Sequence, residues 1–245
     1  MHESIDALSR GGGLAAWRQI ADALEGEIAT GDLAPGAQLP TEAALAARFS
    51  VNRHTVRRAL ATLAERGLIR ASQGRGTFVE AAPLAYPIGR RTRFSEIVTG
   101  AGREPWGDLI THREIAAPPE CAAMLAVPEG APLLELLTVH RADGVPLSTA
   151  RTWLPLPRFA GFAPAYERSG SITRALAACG VPDYTRASTR IRARLADPAE
   201  AARLDLTPGR VVIVVSSVNV DGEGVPVQAN RAVFAADRVE VVVGT

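Results

Sequence analysis

The stretch over residues 39–78, LPTEAALAARFSVNRHTVRRALATLAERGLIRASQGRGTF, constrains the fold of this chain more than any other. Its pattern predicts two short helices, a tight turn between them, and then a two-stranded wing. Pro40 sets the entry and Thr41 is placed to cap the first helix. Ala44, Leu45, Ala47 and Phe49 give that helix an apolar face at helical spacing. Ser50, Val51 and Asn52 break the period and supply a second cap. A second helix follows from about Arg53 to Arg66, and Val56, Ala59, Leu60 and Leu63 recur on one face, which must turn inward. Gly67 is the residue type that ends a helix in the left-handed conformation. Residues 68–72 and 77–79 are strand-like, and Gln73, Gly74, Arg75 and Gly76 form a glycine-supported turn between them.

The chemistry follows from the charges. Between Arg48 and Arg75 there are seven arginines (48, 53, 57, 58, 66, 70 and 75) and one acid, Glu65. A helix whose first turns carry Asn52, Arg53, His54, Thr55, Arg57 and Arg58 suits a major groove, where arginine pairs with guanine and its neighbours grip phosphates. Gln73, Gly74 and Arg75 at the wing tip are placed to reach the backbone or the next minor groove. The net charge of the chain is only +1, so affinity for double-stranded DNA must come from this local patch. All 27 basic residues are arginine. A chain without lysine supplies neither a Schiff-base amine nor the lysine of a Walker-type phosphate loop. The four histidines, at positions 2, 54, 112 and 140, are scattered, with no Ser/His/Asp set and no metal spacing among them. The expectation is a chain that is not an enzyme and needs no metal or cofactor. Cys121 and Cys179 read as free thiols. Residues 1–13 are polar and glycine-rich, a disordered leader and not a signal peptide, and no apolar run is long enough to span a bilayer. A cytoplasmic protein is expected.

Residues 14–80 thus form one predicted domain, with Leu14, Trp17, Ile20, Leu24 and Ile28 as the inward stripe of a leading helix. Residues 81–90, AAPLAYPIGR, carry two prolines and little periodicity, and read as a linker. From residue 91 to 245 the chain turns to strands, and it repeats itself: 119–151 resembles 198–231, each copy reading helix, turn, long apolar strand, Asp-Gly hairpin, second strand. Two such hairpins in one antiparallel sheet with helices against it would leave a crevice between related halves. Candidate ligand groups there are Arg141 and Arg151 flanking one hairpin, Arg231 at the position equivalent to Arg151, and Arg190, Arg192 and Arg194 alternating along a strand. Ser95, His140 as a switchable donor, and Ser171 at a helix start complete the set.

The first of these regions, through LPTEAALAARFSVNRHTVRRALATLAERGLI and QGRGTFV, resembles the winged helix–turn–helix of GntR-type bacterial transcription regulators. That resemblance places the DNA contacts on Asn52, Arg53, His54, Thr55, Arg57, Gln73 and Gly74. An arginine that many relatives carry after the first-helix glutamate is Ala43 here. Phe94-Ser95, ADGVPLSTARTWLP, the SGSI step and VPVQANRAVFAADRVEV resemble the UTRA effector domain of the HutC-like subgroup. This implies an α+β chain: a winged helix–turn–helix followed by a chorismate-lyase-like antiparallel sheet with flanking helices. YPIGRRTRFSEIV, VNRHTVRRAL and STRIRARLA most resemble repressors of phosphonate or phosphate operons. The resemblance implies a homodimeric repressor on a palindromic operator, with a small anionic effector held by Ser95, His140, Arg141 and Ser171. Sugar-phosphate-binding relatives have arginines where Thr138 and His140 stand here, and glutamates at Ala150 and Gln228. The alternatives are a repressor of another catabolic operon with a non-phosphorylated effector, and a chorismate-lyase-like enzyme.

Overall fold

The computed structural model describes residues 15–72, 76–80 and 83–243. The leader, Leu14, and the wing-tip residues Gln73, Gly74 and Arg75 lie outside the described residues. The chain divides into two compact units after Ala82, and each is taken by itself.

The first unit holds α1 (Ala16–Thr30), α2 (Glu42–Arg48), α3 (Arg53–Glu65), β1 (Ile69–Ser72) and β2 (Gly76–Val79). The caps follow the sequence pattern. The Thr41 hydroxyl accepts from the Ala44 N–H, and the Asn52 carbonyl accepts from the Thr55 N–H. Gly67 sits at φ +75°, just past the end of α3. Ile20 and Leu24 of α1 meet Leu45, Phe49, Val56, Ala59, Leu60 and Leu63 in one core, closed below by Ile69 and Val79 of the wing strands. Gln38 bridges to Phe78 and lies so close to the wing that a Cβ on Gly76 would stand 2.4 Å from its Nε2. The Gln38 amide could swing aside, but φ +111° at the same residue strains any side chain and favours glycine at the foot of β2.

The second unit opens with β3 (Leu84–Ile88), α4 (Phe94–Gly100), β4 (Pro105–Ala116), α5 (Pro119–Leu125), β5 (Pro132–Ala142) and β6 (Val145–Pro155). It continues with α6 (Phe162–Ser169), α7 (Ile172–Ala178), β7 (Thr185–Leu195), α8 (Pro198–Arg203), β8 (Val211–Val220), β9 (Pro226–Ala235) and β10 (Val239–Val243). Six strands form one antiparallel sheet in the order β4-β5-β6-β9-β8-β7, and β10 pairs separately and in parallel with β3. Residues 81–90 are therefore not a linker throughout: 84–88 are a strand of the second unit. Pro87 lacks an N–H, which a two-stranded ribbon with an open side tolerates.

The internal repeat becomes an approximate twofold arrangement. The two hairpins meet along β6 and β9, and Arg151 stands directly opposite Arg231, its equivalent in the repeat. One sheet face carries α6 and α7 on Leu134, Leu136 and Leu154, with β3, α4 and β10 on Ala150, Val215, Ala232 and Phe234. The other carries α5 on Leu133, Trp153 and Ala229, and the Leu204 turn after α8 on Val212, Val214 and Val233. Between α4 and α7 the first face is left open to a crevice.

Candidate functional site

The start of α3 is the first candidate surface. Arg53 and His54 are exposed there, and Asn52 spends its carbonyl oxygen on the cap, accepting from the Thr55 N–H at 2.9 Å and the Thr55 hydroxyl at 3.0 Å. The other described arginines of the cluster, Arg48, Arg57, Arg58, Arg66 and Arg70, have internal partners. Arg48 forms a two-point pair with Glu27, Arg66 bonds Glu25, and Arg70 lies 3.9 Å from Glu80 with its guanidinium over the Phe78 ring. Arg57 Nε donates to Glu42 at 2.8 Å, and the Arg58 guanidinium sits 4.4 Å over the Trp17 ring. The expectation that this arginine run is a single DNA-facing patch is therefore narrowed. The acids that engage it come from α1, from α2 and from Glu80 just after β2, all outside the 48–75 window. Arg57 is 61% exposed in its pair, and such exposed pairs contribute no more than about 1 kcal/mol, so a phosphate can take the place of Glu42.

The second candidate is the crevice on the sheet face between α4 and α7. It is a cavity of about 80 Å³ that opens through a wider mouth to solvent. Three of the nine candidate ligand residues line it: Ser95 in the first turn of α4, His140 on β5, and Ser171, whose hydroxyl caps α7 by accepting from the Arg174 N–H at 3.4 Å. Six do not, Arg192 and Arg194 of β7 among them. Arg141 turns away to Asp108 at 2.7 Å and to the Gly144 carbonyl at 3.2 Å. Arg151 and Arg231 project from the opposite sheet face, where Arg151 lies 3.4 Å from Glu135 and Arg231 bonds Glu120 at 2.8 Å. Arg190 is exposed and shares that opposite face, through its pairing with Ser216, which in turn pairs with Arg231.

His140 is not the switchable donor the sequence suggests. Its ring is buried between Ser148 Oγ, 3.4 Å from Nδ1, and Tyr166 Oη, 3.2 Å from Nε2, with the Phe94 ring tilted against it at 5.1 Å. Burial lowers its pKa from 6.5 to about 4, outweighing the opposing pull of Asp108. The ring is a neutral hydrogen-bonding group at neutral pH.

Sequence reasoning missed several polar residues on the pocket wall: Arg186 of β7, Asn219 of β8, Asn230 of β9, and Tyr86 and Tyr184. Asn219 and Asn230 had a readable signal, since each interrupts a run of buried apolar strand residues, where an amide is costly unless it bonds. Gln228 and Ala150, noted only as departures from relatives, both line the wall. No carboxylate is among the lining residues. Burial pushes Tyr86 up to about 12, so its phenol stays a donor. The pocket offers cationic and neutral donors and suits a small anion.

Among the described residues no helix is long and apolar enough to cross a membrane, and no group of three or more His, Cys, Asp or Glu side chains could hold a metal ion.

Comparison with known proteins agrees with both halves. Residues 16–79 match the model of the bacterial regulatory proteins of the gntR family, and residues 100–240 match the UTRA domain. The chain is 50% identical to the HTH-type transcriptional regulator RB1450 of Rhizobium meliloti, over 95% of this chain and 96% of that protein. It is 32% identical to the transcriptional regulator PhnF of Escherichia coli, over 91% and 92%. Among solved structures, PhnF from Mycobacterium smegmatis superposes with a TM-score of 0.63 at 26% identity, covering 94% of this chain and 99% of that one.

Proposed function

Because the chain belongs to the GntR family of bacterial transcription regulators, with a winged helix–turn–helix and a UTRA domain, we propose that it is a homodimeric repressor of a phosphonate or phosphate uptake or utilisation operon. A small anionic effector in the crevice of the second unit sets its affinity for the operator. The observation that carries this reading is the pocket itself: Ser95, Ser171, His140, Arg174 and Arg186 converge on one enclosed space with no carboxylate on its wall. Likeness to the two proteins named PhnF and the resemblance of the 86–98 and 51–60 stretches to phosphonate-operon repressors support the choice of regulon.

The α3 start reads the major groove, with Arg53 on a base edge, Arg57 on phosphate and the wing tip alongside. Two copies reading a palindrome account for the expected symmetry, and the larger effector unit supplies most of the contact between them. An effector shifts DNA binding only by favouring one of two states of that dimer. The enzymatic alternative finds little support in the pocket. Ser148 stands beside His140, but no carboxylate orients the imidazole, and a base with a pKa of about 4 takes protons poorly at neutral pH. The protein acts in the cytoplasm, where its operator is.

The test is footprinting of the full chain on the DNA upstream of its own gene, with the mass of the complex measured by sedimentation. The reading predicts two protected half-sites about one helical turn (10–10.5 bp), or a multiple of it, apart, bound by two chains. Protection of one unsymmetrical site by a single chain contradicts it.

A further inference from the structure

We propose that Arg186 holds the acidic head of the effector, and that Asn219 beside it takes a hydrogen-bond donor from the same molecule. This rests on the anionic-effector reading above and names the group that recognises the anion.

Two other arginines of the second unit, one buried and one at the surface, show what is unusual at the half-buried Arg186. Arg238 is buried and satisfied, donating to the carbonyls of Pro146, Leu204 and Asp205. Arg194 forms a two-point pair with Glu200, at 2.6 Å for each bond. Arg186 lines the pocket, yet its Nε and Nη1 are buried without any partner. Its nearest electrostatic neighbours are the phenols of Tyr86 and Tyr184, and desolvation pulls its pKa down from the usual guanidinium value. A guanidinium keeps its charge in proteins, so this is a half-buried cation, two of its nitrogens shut off from water, whose counter-charge the protein does not supply.

Asn219 is the cross-strand partner of Arg186. Its Nδ2 donates to Gln228 Oε1 at 2.6 Å, while its Oδ1 is buried and unpartnered. An empty donor pair and an empty acceptor thus stand side by side on one pocket wall. They match a small oxyacid that also carries an N–H or O–H. The site stands in a different place from the arginines of sugar-phosphate-binding relatives, whose positions are Thr138 and His140 here.

The experiment uses the full chain in buffer free of oxyanions and follows the melting of the effector unit with inorganic phosphate, methylphosphonate and 2-aminoethylphosphonate as probes. Arg186→Met removes the uncompensated charge at similar length, and Asn219→Asp supplies an internal counter-charge. Both variants should melt higher than wild type without anion, by roughly 2–4 °C, and both should lose the anion-induced rise that wild type shows. The largest wild-type rise is expected with 2-aminoethylphosphonate, which brings a donor as well as the acid. A lower melting temperature for Arg186→Met, or an anion response kept in both variants, overturns the proposal. A response kept in Arg186→Met but lost in Ser171→Ala leaves the anionic effector standing and removes Arg186 from its recognition. No response of wild type to any probe overturns both readings.

Discussion

His140 offers a prediction whose size follows from its surroundings. Folded, its imidazole titrates near pH 4; unfolded, near 6.5. Between those two values the unfolded chain binds a proton that the folded chain does not. Stability must then rise with pH across this window and fall on acidification, with a slope approaching 1.4 kcal/mol per pH unit from this one group. Over the whole window the loss is about 3 kcal/mol at 1.36 kcal/mol per unit. His140→Gln keeps a donor and an acceptor for Ser148 and Tyr166 but removes the titration. The assay is urea unfolding of wild type and His140→Gln at pH 7.5, 6.5, 5.5 and 4.5, read by tryptophan fluorescence from Trp106 and Trp153 of the effector unit. Above pH 6.5 the difference between the two proteins should be constant. Below it, wild type should lose ground steadily to the variant. A difference that stays flat to pH 4.5 refutes the argument, because it would mean that the buried ring accepts its proton as readily as an exposed one.

Three further outcomes follow from the geometry. Arg53→Ala should weaken binding to the specific operator by about 1–3 kcal/mol and relax preference at one base pair, whereas Arg66→Ala, whose partner is Glu25, should leave operator affinity unchanged in the same anisotropy titration. Arg57→Ala should weaken specific and random DNA about equally and reduce the salt slope by about 1, measured between low and moderate salt. Gly107→Ala should destabilise the effector unit by about 1–3 kcal/mol in thermal melts, since its Cβ would stand 2.0 Å from the Tyr166 hydroxyl and 2.7 Å from the Gly170 carbonyl oxygen.

Much of the fold was legible because the signals were local. Thr41, Asn52 and Gly67 each act within a few residues of themselves, and α2 and α3 begin and end where those residues stand. The repeat revealed the two hairpins and the equivalence of Arg151 with Arg231. It did not reveal which sheet face they occupy, because that depends on which helices cover each face. The strand at 84–88 was hidden for a related reason: its partner, β10, lies some 150 residues further along the chain. The site was least legible where a single irregularity reverses side-chain direction. The register of β7 against β8 shifts between Arg186 and Ser188, so simple alternation along the arginines fails at that step. Arg186 turns into the pocket, while Arg190, which alternation would place beside it, turns to the far face. The arginines around α3 misled in another way, since their acidic partners Glu25, Glu27 and Glu42 approach only after the helices have packed.

The central claim is that a small anion in the UTRA pocket controls DNA binding. Its most direct test is fluorescence anisotropy of the full chain on the DNA upstream of its own gene, at one fixed salt concentration. The titration is repeated with inorganic phosphate, methylphosphonate, 2-aminoethylphosphonate and a sugar phosphate. The account predicts tight binding without effector and a displaced binding curve with at least one of these anions, the displacement being absent in Arg186→Met. Tight binding that none of the four anions moves would contradict it.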